Sequence, residues 1–281
     1  DVQSSIDATR RLRDSLLKVG YHMMLGLPGS TAASDQKMFQ ELFENQSYRP
    51  DALKIYPCLV FKGTKLYEQW KKGEFQPIDA REAAERIVAC KKYIQPYCRI
   101  MRIQRDIPTF MVEAGVEKTN LRQEVFELMK KKKVICHCIR CREPKNIQVD
   151  WNKVKLNRMQ YEASNSQEIF LSYDDEKNDK ILGFVRLRIP YQPFRKEITK
   201  DAAGIREIHV YGAAVKVGEK TDPKKVQHHN IGMQLMQEAE RIAAEEFDRK
   251  KMIVIAGIGA REYFRKKLHY KQDGPYVSKK I

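Results

Sequence analysis

Ile205-Arg206-Glu207-Ile208-His209-Val210-Tyr211-Gly212 and, further on, Gln227-His228-His229-Asn230-Ile231-Gly232-Met233 are the two stretches from which the fold of this chain is read. The first predicts a strand over residues 205–215. The second opens a helix over 230–247, in which Ile231, Leu235, Met236, Ala239, Ile242, Ala243 and Phe247 line one face. A strand that runs through a permissive loop into a helix N-terminus turns several backbone N–H groups onto one spot, and the positive end of the helix dipole adds to them. A diphosphate fits such a spot without any lysine. The next apolar run, 252–258, reads as a buried strand, and Gly259-Ala260 leads into a helix over 261–267.

Working outward, strand-like runs stand at 153–163, 168–173 and 181–189, with an acidic turn at 174–180 between the last two. Towards the N-terminus helices and strands alternate: a helix over 8–19 ended by Gly20, a strand over 21–25, a turn at 26–30, a helix over 32–44, a strand over 52–56 and a helix around 80–98. Interleaving of this kind means parallel βα units. Two parallel strands close no barrel, and the first residue is Asp, so further chain is expected upstream. Residues 99–150 read as a connector: Asp106-Ile107-Pro108 breaks the chain, a helix spans 120–132, and a cysteine cluster follows. The fold class is α/β.

Of the 281 residues, 42% are hydrophobic, enough for a real core and against a disordered chain. The net charge is +16. Residues 51–150 carry 21 basic and 13 acidic groups, and the last 31 residues carry 8 and 2, so the excess sits in two blocks. Blocks of positive charge suit a phosphate polyanion. No apolar run reaches the ~18 residues of a membrane span, and no basic-then-apolar leader is present. Six cysteines are too few for a disulfide scaffold and point to reduced thiols or a metal site.

Gln227, Asn230 and Gly232 resemble the Gln/Arg-x-x-Gly-x-Gly/Ala loop with which GNAT acyltransferases hold acetyl-CoA, with Asn230 in place of the first glycine. Asparagine tolerates positive φ better than other side chains. The stretches quoted above, together with Gly257-Ile258-Gly259, Arg261-Glu262-Tyr263 and Asp273-Gly274-Pro275-Tyr276, resemble the acetyltransferase half of the Elongator catalytic subunit. Upstream, Tyr21-His22-Met23-Met24, Gly26-Leu27-Pro28-Gly29-Ser30, Leu53-Lys54-Ile55-Tyr56-Pro57, Gln104-Arg105-Asp106-Ile107-Pro108, Asn120-Leu121-Arg122 and Cys141-Arg142-Glu143 follow in that family's order. The resemblance, closest to archaeal-type members, implies the C-terminal part of a radical-SAM partial barrel (1–98), a linker with a zinc cluster (99–150) and a GNAT domain with a mixed sheet (151–281). It implies acetyl-CoA, SAM and a 4Fe–4S cluster as cofactors of the full protein. The activity implied is carboxymethylation at ring carbon 5 of the wobble uridine of tRNA, with acetyl-CoA hydrolysis stimulated by tRNA. The three-cysteine motif that holds the cluster is not in this sequence, so no radical step is expected from it. A cytoplasmic setting, the anticodon stem-loop of tRNA as partner, and Elongator-type subunits or a homodimer follow from the same resemblance. Phe264 stands where a second tyrosine is usual, His269 where a glycine is, and Leu25 where proline is.

Acyl transfer needs an oxyanion stabiliser, a proton acceptor and a proton for the departing thiolate. Tyr263, His209 and Glu143 are the catalytic candidates. Ile208, His209, Val210, Gln227, His228, Asn230, Ile231, Gly232, Met233, Tyr263, Phe264 and Lys267 are the candidates for holding acetyl-CoA. Cys136, Cys138 and Cys141 pack three thiols into six residues, a zinc-like set whose fourth ligand is His137, Cys98, Cys90 or a residue elsewhere; unliganded thiols and an iron–sulfur site are the alternatives. Cys58 reads as core. Lys54, Tyr56, Arg102, Arg105, Arg122, Lys131 and Arg140 are candidates for contacting nucleic acid, with Tyr93 and Tyr97 as further stacking surfaces. Rival functions are a protein lysine acetyltransferase and a tRNA-binding platform with an altered acetyl site.

Overall fold

The computed structural model describes residues 1–104, 107–117, 120–144, 149–211 and 230–281. The chain divides into two compact units, one of residues 20–45 and 49–141, the other of residues 1–19, 46–48 and 142–281. Among the described residues, no helix is long and apolar enough to cross a membrane.

In the first unit, β1 (Gly20–Leu25), β2 (Ala52–Pro57) and β3 (Arg99–Ile103) form a parallel sheet in that order. Between them run α2 (Ala32–Glu44), α3 (Lys65–Lys71) and α4 (Ala80–Cys90). α2 begins where Thr31 and Ser34 cap each other's backbone N–H reciprocally. Gly26 takes φ 69° in the turn after β1, and a Cβ there would meet Ile78 Cδ1 at 2.8 Å, so only glycine fits. Asp35 of α2 locks this corner, accepting from Gly26 N at 3.2 Å and from Arg86 Nη1 of α4 at 2.7 Å.

The expected helix over 80–98 stops at Cys90, and residues 91–93 form one 3-10 turn. The third strand was not anticipated, because Arg99 and Arg102 mask it: only Ile100 and Ile103 of its five residues are buried. The rest of the expected connector holds α5 (Leu121–Lys131) and α6 (Ile139–Arg142).

The second unit is a seven-stranded mixed sheet. β4 (Val154–Ala163), β5 (Ser166–Asp175), β6 (Lys180–Arg188) and β7 (Ala202–Val210) run as an antiparallel meander. β8 (Lys251–Val254) joins β7 in parallel, and β10 (Tyr276–Lys280) lies antiparallel between β8 and β9 (Lys271–Asp273). The closing β9–β10 hairpin, turned at Gly274 with φ 58°, was not foreseen. α7 (Ile231–Arg241) continues as a π-turn over Ile242–Glu246 and buries Ile231, Leu235, Met236 and Ala239 against the sheet, as its periodicity predicts. α8 (Arg261–Leu268) buries Phe264 and Leu268. The strand expected to run to 215 ends at Val210, and residues 212–229 lie outside the described part of the chain.

Residues 1–19 belong to this second unit, not with β1–β3. α1 (Val2–Asp14) ends five residues sooner than the apolar spacing suggests. Its last residue explains why. Asp14 is fully buried, and its Oδ1 accepts from Arg188 Nη2 at 2.7 Å and Nε at 3.0 Å. Arg188 Nη1 also donates to Glu168 Oε1 at 3.0 Å, and Arg206 Nη2 and Nε donate to Glu168 Oε2 at 2.9 and 3.1 Å. Two buried cations thus meet two buried carboxylates. Past the helix end Leu16 turns left-handed, φ 64°, and lodges on Gly204: a Cβ on that glycine would fall 2.1 Å from Leu16 Cδ2.

Removing one member of a buried pair strands the other charge. Asp14→Ala should therefore lower unfolding stability by about 3–5 kcal/mol, measured by urea denaturation. A loss under about 1 kcal/mol would mean that the pair is solvated.

Candidate functional site

β7 and β8 stay paired from Ala202↔Lys251 to Ile205↔Val254, and the last link, Ile255 N to Ile205 O, is stretched to 3.5 Å. β8 ends there, while β7 continues to Val210 on the arm of β6. A bulge sits at the parting. Leu187 opposes Ile205 and Arg186 opposes Glu207, which leaves Arg206 as the extra residue. A bulge bends a strand and re-aims its side chains; here Arg206 goes to the buried ion network and Glu207 to the opening. The opening is a cavity of about 390 Å³ lined by Ile205, Glu207, His209, Ala256, Gly257 and Phe264, among others.

At the other end of the notch stands the tip of α7. Asn230 takes φ 52°, ψ 25°, and its side chain does not cap the helix. Gly232 leaves room there: a Cβ would lie 3.5 Å from both Tyr263 Oη and Val210 Cγ2, so the tyrosine hydroxyl stands over the first turn of α7. Ile231 turns inward onto Gly183 and Met233 is half-buried on the core. Burial pushes the Tyr263 phenol up from its ordinary value, which keeps it a proton donor. Phe264 is 2% exposed, packed edge-on between Tyr263 and Tyr270 with ring centroids 5.7 Å from each, and forms a notch wall. Lys267, on the last turn of α8, is exposed and is not part of the lining. Gln227 and His228 lie outside the described residues.

His209 is edge-on to Tyr211 at 4.4 Å and stacks on Phe184 at 5.8 Å. Tyr211 Oη donates to Glu143 Oε1 at 3.5 Å, so two of the catalytic candidates, His209 and Glu143, are linked through a tyrosine that the sequence did not single out.

The other missed wall comes from the chain's beginning. Leu17 and Lys18 line the notch. Lys18 Nζ meets Glu207 Oε1 at 3.0 Å, and Arg186 Nε meets Glu207 Oε2 at 2.9 Å. Nothing in local spacing signals a contact across 189 residues.

In the first unit the ligand atoms of Cys136, Cys138 and Cys141 all lie within 4.8 Å of one another, with Cys138 and Cys141 sulfurs 3.6 Å apart. A tetrahedral ion with Zn–S bonds of about 2.3 Å needs sulfur–sulfur edges of about 3.8 Å, so the thiols fit. Hydrogen bonds from Cys136, then Cys141, hold the Cys138 thiol far below its ordinary value, favouring a thiolate. Cys90 sits elsewhere, its sulfur on Asp35 O at 3.9 Å and its thiol pushed up to about 12 by burial. Cys98 gives its carbonyl to Ile139 N at the start of α6, and His137 is exposed beside the cluster. Cys58 packs with Val60 and Phe75, as core.

Two of the basic candidates, Lys54 and Arg102, share one face of the parallel sheet. His22, Lys54 and Arg102 stand in register across β1, β2 and β3, with Tyr56 two residues beyond Lys54 and edge-on to His22 at 5.6 Å. Arg122 Nη2 donates to Met101 O at 3.2 Å, and burial, then the charge of Arg140, holds its guanidinium below the usual value. Lys131 is exposed at the end of α5; Arg105 lies outside the described residues. Tyr97 is no stacking surface: it is 2% exposed and packs on Phe43.

A family model described as the Radical_SAM C-terminal domain matches residues 50–131, the segment that holds β2 to α5. The tRNA uridine(34) acetyltransferase of Methanocaldococcus infernus is 49% identical over 286 residues, covering 100% of this chain and 53% of that protein. Elongator complex protein 3 of Homo sapiens is 41% identical over 286 residues, covering 100% of this chain and 52% of that protein. Among solved structures, the archaeal Methanocaldococcus infernus Elp3 with an N-terminal deletion superposes with a TM-score of 0.93 at 49% identity, over 100% of this chain and 67% of that one. The chain spans about half the length of the curated relatives it matches.

Burial works to raise the pKa of Glu207, but the charges of Arg186 and Lys18 outweigh it and hold the carboxyl below its usual range. A depressed carboxylate stabilises the fold above its unfolded pKa and loses that effect as pH falls through the folded value. The thermal midpoint of the wild type should exceed that of Glu207→Gln at neutral pH, and the gap should close on acidification. A gap independent of pH would contradict the ion-pair account.

Proposed function

The chain belongs to the Elongator complex protein 3 family, and on that premise we propose that it is the part of a tRNA wobble-uridine acetyltransferase that holds acetyl-CoA and docks the RNA. The observation that carries this reading is the notch between β7 and β8, with a helix tip at one end and a protonated phenol beside it.

In this reading the N–H groups of Ile231, Gly232 and Met233 receive the diphosphate, helped by the dipole of α7. The left-handed Asn230 leads the backbone into that turn as a glycine would. The edge of β7 released by β8, at Ile208 to Val210, takes the pantetheine arm, and Phe264 keeps water from its flank. Water adds to the thioester carbonyl carbon, the carbon–sulfur bond breaks, and the departing thiolate takes up the proton that His209 removes from that water, while the Tyr263 hydroxyl over the first turn of α7 donates to the diphosphate. His209, steadied by Tyr211 and Glu143, stands on the same strand to take the proton of that water. SAM and an iron–sulfur cluster, where the full-length enzyme binds them, supply the radical chemistry at uridine.

Lys54, Arg102, Arg122 and Arg140 are cations suited to the phosphates of the anticodon stem-loop, and Tyr56 to a splayed base. Cys136, Cys138 and Cys141 are three thiolate ligands for a structural zinc near that basic surface.

Isothermal titration should detect acetyl-CoA binding, and tRNA should speed its hydrolysis in a salt-sensitive way. Tyr263→Phe should raise the acetyl-CoA dissociation constant by about tenfold through loss of a hydrogen bond to the charged diphosphate. Turnover stimulated by a basic peptide and not by tRNA would favour a protein lysine acetyltransferase. Elemental analysis should find zinc in stoichiometric amount, lost in Cys138→Ser; a zinc-free wild type would remove the metal assignment.

A further inference from the structure

The notch has a defined direction. Gly232 at the tip of α7 sits against Val210, so that end takes the diphosphate. Glu207 lies three residues back along β7, about 10 Å at strand rise, close to where β8 departs at Ile205. The acyl end of an extended arm therefore points to the neighbourhood of Glu207, and among the described residues the cations there are Arg186, Arg206 and Lys18. Arg206 is committed: Glu168 takes Nε and Nη2, and Leu17 O takes Nη1 at 3.0 Å. The Arg186 side chain is 2% exposed and braces Glu207 from behind, its guanidinium over the rings of Phe170 and Phe184. The Lys18 side chain is 57% exposed, lines the cavity and, among the described residues, pairs at its tip with Glu207.

We propose that Lys18 is a catalytic residue whose ammonium binds the carbonyl oxygen of the acyl thioester in the β7–β8 notch, with Glu207 as its positioning residue. The proposal rests on the acetyl-CoA reading above and adds a group to it. As water adds to the carbonyl carbon, that oxygen gains negative charge, and the ammonium offers a charged hydrogen bond where the charge develops. When the tetrahedral species collapses, the electron pair returns to carbon, the carbon–sulfur bond breaks and the thiolate leaves; Lys18 keeps its proton throughout. The backbone around Lys18 is prepared for this. Leu16 is pinned on Gly204, Leu17 O is held by Arg206, and Ser15 O accepts from Tyr276 Oη at 3.0 Å, so only the side chain of Lys18 needs to swing. Glu207 sets its resting place, and the brace on Glu207 from Arg186 keeps the carboxylate from following the lysine.

Infrared difference spectra of acetyl-CoA with an isotope-labelled carbonyl, bound to the 281-residue chain, test this without requiring turnover. The carbonyl band should move to lower frequency on the wild type, much less on Lys18→Met, and by an intermediate amount on Lys18→Arg. In the presence of tRNA, Lys18→Met should reduce kcat for hydrolysis by about a hundredfold, with the acetyl-CoA dissociation constant within about twofold of wild type. Glu207→Gln should weaken the band shift, and the double variant Lys18→Met/Glu207→Gln should be no worse than Lys18→Met alone, because the two act as one unit. An identical band on wild type and Lys18→Met overturns the proposal, as does a change confined to KM. A wild type that binds no acetyl-CoA at millimolar concentration overturns the notch reading itself, and this assignment with it.

Discussion

The buried square of Asp14, Arg188, Glu168 and Arg206 is the constraint on which the second unit depends. Charges taken out of water are costly unless geometry satisfies them fully. Here nearly every remaining bond is made by backbone: Arg188 reaches Ala163 O, Arg206 reaches Leu17 O, and Asp14 accepts from Tyr191 N and Gln192 N. The square thus fastens four separate pieces of chain together, and it decides where α1 stops. An apolar core of equal volume would hold the same pieces with less discrimination, since a hydrophobic contact tolerates sliding and a set of bidentate bonds does not.

From that anchoring the notch follows. Arg206 is drawn into the square, which places the bulge in β7 and frees β8 to turn away. The segment after Asp14 is held under β7, which supplies the wall that carries Leu17 and Lys18. The structural ion network and the notch are therefore served by successive residues of one strand, Arg206 facing the first and Glu207 the second. Leu16, Ile198, Ala202, Ile253 and Tyr276 form a small buried cluster of their own, separate from the larger core under α7.

How much of this was legible in the sequence divides along physical lines. α2 and β2 were readable to the residue or nearly so, because Thr31 and Ser34 mark a cap and buried Leu53, Ile55 and Pro57 alternate with half-buried positions. The helix tip with Asn230 and Gly232, and the three thiols, were readable because their chemistry is local in sequence. β3 was not, because two arginines occupy a five-residue strand, and β9 and β10 were too short to show a period. Tyr97 looked like a surface aromatic beside charged neighbours, but Phe43 packs on it from α2. Lys18 was beyond reach altogether: its partner is on another strand, and only tertiary structure brings them together.

That long reach has a consequence for how the chain comes off the ribosome. Asp14 is made before the first unit, yet its partner Arg188 lies 174 residues later, with the whole of the first unit synthesised in between. Topologies dominated by such distant pairings fold slowly, and domains made earlier fold as units during synthesis. The first unit must therefore settle while α1 is still an orphan amphipathic segment, and the second unit closes last, recruiting to its sheet a segment translated before the first unit.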